Sequence, residues 1–464
     1  MERTENPLGY EPIAPLMVKY AIPSIISGLV GAIYNIIDQI FIGWGVGMLG
    51  NAATNVSFPL VTLTIAISLL VGVGTASNFN LELGRKNEER AKQVFGRGVS
   101  LVFVFSVMIT AFALIFLPRL LFIFGSTEEV FPYAFEYANI TTKGTIFLMA
   151  SIAFPILIRS DGSPRYAMVA ALTGAVLNTI LDPIFIFVFD MGIAGAAWAT
   201  VISQAVNATI GLVYILKHMK TIDISPEIFG FFNKKLEKGL TWDVLKLGAT
   251  PLMNHLAMMI MMIILNQSLK YYGAQSDYGS SIPLAVVGVI SKVTIIYTSI
   301  VIGISQGAQP VMGFNYGAKN FNRVKSATLI NMGAVTVVSL ITFAIFQLFP
   351  LQIIRIFGTG SPEYEQFAIR YLRIFMFMIT VNGAQPVSSF LFTAIGKPLR
   401  GLLISLTRHI IFFIPLVYIL PQFLGIDGVL LTGPIADMAA AIVAFTLFFI
   451  EIKKLDEMAK IQEA

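Results

Sequence analysis

Apolar residues run along this chain in long blocks separated by short polar stretches. Blocks at about 15–43, 53–83, 95–117, 131–158, 166–189, 193–217, 242–270, 282–313, 325–349, 363–393, 400–420 and 428–451 can each cross roughly 30 Å of hydrocarbon. They are continuously apolar rather than alternating, which argues for helices and against a transmembrane β-barrel. The pattern predicts an all-α polytopic membrane protein with twelve transmembrane helices. The polar opening MERTENPLGYEP lacks the basic region and cleavage site of a signal peptide, so the first span is expected to act as the insertion signal.

Composition agrees. Of 464 residues, 56% are hydrophobic and 12% charged, against about 25% charged in soluble domains. The charge follows topology. Lys and Arg gather in alternate loops: Arg85 to Arg97, Arg159 and Arg165, Lys217 to Lys246, Lys319 to Lys325, Lys397 with Arg400 and Arg408, and Lys453 to Lys460. The intervening loops hold only Arg119, Lys270 and Arg355. The positive-inside rule then places the basic loops and both termini in the cytoplasm. Basic residues so explained give no argument for a nucleic-acid partner. There is no cysteine, and His218, His255 and His409 show no metal-ligand spacing. Phosphate-loop, HExxH and GxSxG motifs are absent. That excludes ATP hydrolysis and the common catalytic constellations, so no enzyme and no cofactor is expected.

The two halves repeat at a shift of 233 or 234 positions. Gly84, Lys86 and Asn87 match Gly317, Lys319 and Asn320; Phe124-Gly125 matches Phe357-Gly358; Gly162 and Pro164 match Gly396 and Pro398; Gly192 matches Gly425. The expected organisation is a six-helix lobe at 1–218, a cytoplasmic linker at 219–240 and a second six-helix lobe at 241–464. Parallel repeats of this kind place substrate and ion sites between or within lobes near the midplane.

Two acids sit deep in apolar spans, Asp38 in the first and Asp182 in the fifth. Charges there cost about 2.5–3.5 kcal/mol on insertion scales and mark function by default. Asn178 lies one turn before Asp182, and Tyr34 one turn before Asp38, each pair on one helix face. Thr200 sits in the sixth span among small residues that permit close helix approach. Together these side chains form an all-oxygen set suited to a hard cation such as Na⁺, and the carboxylates could carry H⁺ instead. Pairing with a nearby backbone group or cation is the bland alternative. The second lobe has no acid at the position matching Asp182. Pro23, fifteen residues before Asp38, breaks a helix hydrogen bond; a hinge and a static packing kink fit it equally. In the seventh span Met258 and Met262 belong to a methionine-rich stretch that suits a promiscuous apolar cavity or simply faces lipid. Lys292 and Asp437 are the most membrane-buried charges of the second lobe, read either as a neutralising pair or as substrate contacts, with Lys292 also able to snorkel outward.

The stretches AIPSIISGLVGAIYNIIDQIFIG, LNTILDPIFIFVFDMGIAGAAWATVISQ and GISQGAQPVMGFNYGAKN resemble the multidrug and toxic compound extrusion (MATE) transporters of the MOP superfamily, particularly their prokaryotic DinF-like branch. The resemblance spans nearly the whole chain. It implies two pseudo-symmetric six-helix lobes around a central cleft, and export of cationic or amphipathic organic compounds in exchange for Na⁺ or H⁺. The branch's cation site falls on Asp38, Asn178, Asp182 and Thr200, its bending proline on Pro23, and its first-helix tyrosine on Tyr34. The acids that the NorM-like branch adds in the second lobe are missing from the seventh and tenth spans. The expected partners are a small organic substrate, the coupling cation and the lipid of the plasma membrane, with the chain acting as a monomer. A flippase for lipid-linked saccharides is the first alternative, and a non-transporting receptor or scaffold the second.

Overall fold

The computed structural model describes residues 6–223, 239–279, 281–356 and 361–463. Ten of its helices are long and apolar enough to cross a membrane, and two bent helix pairs bring the number to the expected twelve when each pair is one span. We number them α1 (Ile13–Gly45), α2 (Met48–Gly84), α3 (Glu88–Ile123), α4 (Phe131–Lys143 with Thr145–Ser160), α5 (Pro164–Val188) and α6 (Gly192–Lys217). The second set is α7 (Leu240–Ala274), α8 (Ser281–Gly317), α9 (Phe321–Leu348), α10 (Pro362–Phe375 with Ile379–Ala394), α11 (Pro398–Leu424) and α12 (Ile426–Glu463). Each set packs as a six-helix lobe. Most of the expected linker, with Lys234, Lys235 and Lys238, lies outside the described residues, as do Phe357 and Gly358.

The repeat is visible in the backbone. Lys86 and Lys319 both take a left-handed φ, +61° and +62°, which is uncommon for a residue with a side chain. In each case the turn reverses the chain between two long helices. Asn87 then caps α3 by accepting a hydrogen bond from the Arg90 amide at 3.2 Å. Gly162 and Gly396, and Gly192 and Gly425, also share left-handed φ values.

Two spans differ from the unbroken helices expected. The fourth bends by 54° at Gly144 and the tenth by 45° between Phe375 and Ile379, at corresponding places in the two lobes. At Gly144 a Cβ would lie 2.6 Å from the Val201 side chain. The carbonyl of Thr142 at this break accepts from the hydroxyls of Thr145 and Thr110, at 2.7 and 3.3 Å. Internal partners of this kind are what hydrocarbon demands of interrupted backbone. The fifth and eleventh spans each contain a π-helical segment, Ile184–Val188 and Thr407–Phe413.

The lobes meet where α1 packs on α8, α2 on α7, and α2 crosses α8. Glycines set this seam. A Cβ at Gly248 would run into the Leu70 carbonyl, one at Gly74 into the Val244 carbonyl, one at Gly84 into the Phe314 carbonyl, and one at Gly317 into the Leu81 carbonyl. The last two contacts are repeat mates. The seam gathers at the basic end of the helices, where side chains reinforce it. Gln309 Nε2 donates to Ser77 Oγ at 2.8 Å, Arg159 Nη2 to Gln306 Oε1 at 3.1 Å, and Arg90 Nη2 to Asp243 Oδ2 at 2.9 Å.

One buried acid holds the exit from the first lobe. Asp161 accepts from Tyr214 Oη, Thr221 Oγ1 and the amides of Lys220 and Thr221, all within 2.9 Å. Asp161→Ala strands these donors and is expected to destabilise the protein by about 3 kcal/mol, read as a lower thermal-unfolding midpoint. A wedge should open the seam. Overpacking costs about 1–3 kcal/mol, so Gly248→Val is expected to raise maleimide labelling of a Ser77→Cys probe about tenfold. Ser77 is buried and the chain has no other cysteine.

Candidate functional site

α1 crosses α5 in the first lobe and brings the two acids together. There Asp38 and Asp182 are close enough to interact electrostatically. Asn178, one turn before Asp182, donates Nδ2 to Asp182 Oδ1 at 3.2 Å and approaches Thr200 Oγ1 at 3.5 Å. Thr200 is near because α5 and α6 touch closely: a Cβ at Gly174 would meet Ser203 O at 3.2 Å, and one at Gly195 would meet the Phe185 backbone at 2.8 Å. The small residues of α6 thus do what their spacing predicts. Immediately after Asp182, Pro183 removes a donor and the helix widens into its π segment, a feature frequent at functional sites.

Burial makes the cluster demanding. Asp182 is fully buried and Asp38 is 7% exposed. Asp38 Oδ1, Asn178 Oδ1 and Asp182 Oδ2 have no hydrogen-bond partner among the described residues. All three are acceptors. Two carboxylates this close repel unless a proton or a cation lies between them, and a hard cation takes oxygen ligands. The donor set therefore fits Na⁺ or H⁺. Among the described residues no three His, Cys, Asp or Glu side chains group as a metal site, this cluster included.

Asp38, Asn178 and Thr200 line a cavity of about 340 Å³ together with Tyr34, Tyr137 and Gln204, whereas Asp182 is fully buried and does not line it. Tyr34 is thus where the sequence puts it. Tyr137 and Gln204 were not singled out. Tyr137 lines the cavity together with Thr200; its span offers only a run of hydroxyls after it, Thr141, Thr142 and Thr145, as a signal. Gln204 lies one turn after Thr200 on the same face. Pro23 is buried inside a continuous α1, and the Ser27 hydroxyl donates to its carbonyl at 2.8 Å.

The second lobe holds a separate cavity of about 220 Å³, and Met258 lines it. Met262 does not; it packs half-buried against the core of that lobe. Lys292 is exposed and lines neither cavity. It does not neutralise Asp437, whose Oδ1 accepts from Arg408 Nε at 2.5 Å. Arg408 is not a loop cation as its neighbours Lys397 and Arg400 suggest. It lies in the π segment of α11, on the cavity wall.

The MatE family profile matches residues 23–184 and again 252–419, once in each lobe. The chain belongs to the MatE family. Its relatives include the multidrug export protein MepA of Staphylococcus aureus (strain MRSA252), 24% identical over 95% of this chain and 94% of that protein. Among solved structures, a MOP superfamily transporter from Pyrococcus furiosus is 26% identical, with a TM-score of 0.90 over 98% of this chain and 100% of that one. An outward-facing multidrug resistance MATE transporter of the same superfamily matches equally well: 26% identity, TM-score 0.90, and 98% and 99% coverage. MatE proteins are membrane transporters, not enzymes.

Because the two acids face each other without a counter-charge, removing one loses no attraction. Asp38→Asn is expected to purify as a monodisperse protein melting within about 3 °C of wild type. A large fall would show that the carboxyl serves the fold.

Proposed function

We propose that this MatE-family chain is a cation-coupled antiporter that exports organic, cationic or amphipathic compounds across the plasma membrane. Asp38 and Asp182 take Na⁺ or H⁺, with Asn178 and Thr200 completing the shell and Tyr34 on the adjoining wall. The lobes are 1–218 and 241–464, joined by the linker 219–240, and the basic loops and both termini face the cytoplasm. One chain carries both lobes and both cavities, so a monomer suffices.

The observation that carries this reading is the pair Asp38 and Asn178 on the wall of a cavity among the spans, with buried Asp182 bonded to Asn178, each of the three with one acceptor oxygen unpartnered among the described residues. A receptor or scaffold has no use for such a pair. Exchange follows from linkage: a cation that favours one state of the lobes is bound less well in the other, and the substrate responds in the opposite sense. The export function named for MepA agrees with this direction.

The test is ethidium export from proteoliposomes under an imposed Na⁺ gradient and, separately, an imposed pH gradient. Wild type is expected to follow one of the two, which names the ion. Asp38→Asn is expected to lose gradient-driven flux by at least about tenfold. Full flux in that variant would remove Asp38 from the coupling site.

A further inference from the structure

The two lobe cavities face opposite charges. Among the described residues that line each one, the single full charge is Asp38 in the first lobe and Arg408 in the second. The second cavity lies on the path between lobes, because Leu69 and Val73 of α2 form part of its wall.

Arg408 is held from behind. Its Nε donates to Asp437 Oδ1, and Asn382 Nδ2 approaches Asp437 Oδ2 at 3.4 Å. The pair is asymmetric: Asp437 is 6% exposed, whereas the Arg408 side chain keeps 24% of its surface open. Its two Nη groups make no protein hydrogen bond among the described residues. The histidines on the same wall do not compete as Nδ1 donors. His255 and His409 each direct Nδ1 to a carbonyl of their own helix at 3.2 Å, Pro251 O and Ser405 O, and a carbonyl can only accept.

We propose that the second-lobe cavity binds the carboxylate of an organic solute through the free Nη edge of Arg408, with the apolar body of the solute against Leu69, Val73, Met258 and Val301. A guanidinium offers two parallel N–H groups that match a carboxylate. Asp437 fixes the fork and offsets part of its charge, so the site suits a singly charged planar anion better than a phosphate. A charge inside a membrane span that faces a water-filled cavity marks a substrate path. The inference rests on the exporter reading for transport and deepens it by naming a carboxylate-binding subsite in the second-lobe cavity. Binding itself is measured at equilibrium and requires no flux.

The experiment uses the full-length purified protein and tritiated 1-naphthoate in a scintillation proximity assay, competed by unlabelled 1-naphthoate or by 1-naphthamide, which has the same shape without the charge. Wild type is expected to prefer the carboxylate by about tenfold or more. The double variant Arg408→Gln/Asp437→Asn removes both charges without leaving either buried alone, and its preference should fall to within about twofold. Arg408→Lys keeps the ion pair but lacks the planar fork, and should lower the preference at least about threefold. Asp38→Asn should retain the full preference even where it abolishes cation-driven export, which separates failure of this proposal from failure of the coupling assignment. Equal binding of naphthoate and naphthamide to wild type, or an unchanged preference in both Arg408 variants, would overturn it.

Discussion

Hydrocarbon offers no hydrogen bonds, and this fold is arranged around that fact. Every departure from regular helix must find its partners inside the protein. The break at Gly144 shows how: the Thr142 carbonyl is taken up by two hydroxyls. The departures are also not scattered. The bends of α4 and α10 and the π segments of α5 and α11 occur at equivalent stages of the two lobes, and all four spans line or adjoin the two cavities. Irregular backbone is tolerated where it faces protein or an aqueous cavity, so its position is itself a map of where the functional space lies.

The lobes repeat their backbone closely and their charges hardly at all. Left-handed turns recur at Lys86 and Lys319 and at Gly162 and Gly396, and the seam contacts of Gly84 and Gly317 exchange under the repeat. Asp182 has Pro415 or Leu416 at its repeat position, and Asp437 has Gln204 or Ser203, none of them charged. Duplication therefore kept what packing requires: turns with positive φ and glycines where backbones touch. The cavity walls, where packing asks least, are where the halves diverge. One cavity presents Asp38 and the other a guanidinium steadied by an acid, so a solute crossing between lobes meets unlike surfaces on its two sides.

What could be read from sequence follows the same division. Spans and their number are legible because membrane thickness fixes the length of an apolar run. Asp38, Asn178, Asp182 and Thr200 are legible as one site because helical spacing puts Asn178 over Asp182 and small residues bring α6 close. Tyr137 escapes because the cavity it lines is assembled from several helices, and no spacing within α4 encodes that placement. Arg408 escapes for a different reason. It follows Lys397 and Arg400, so counting charges assigns it to a loop, while the π turn and Asp437 hold it inside the span. Lys292 is exposed and lines neither cavity, and the acid it could have neutralised is paired with Arg408 instead.

α1 joins the candidate cation site to the seam. Asp38 lies toward one end of this helix, and Ala21 and Ile25 lie against α8 toward the other. A Cβ at Gly307 would stand 2.7 Å from Ala21 Cα, and one at Gly303 would stand 2.7 Å from Ile25 Cα. These two contacts flank Pro23. A proline lacks the amide that would tie it to the preceding turn, so this is the point at which α1 resists bending least. It is also the point at which α1 is pressed most closely to the other lobe. Packed interfaces of this kind have discrete arrangements rather than a continuum. α1 therefore carries Asp38 toward one end and the seam contacts of Ala21 and Ile25 toward the other, with Pro23 between those contacts.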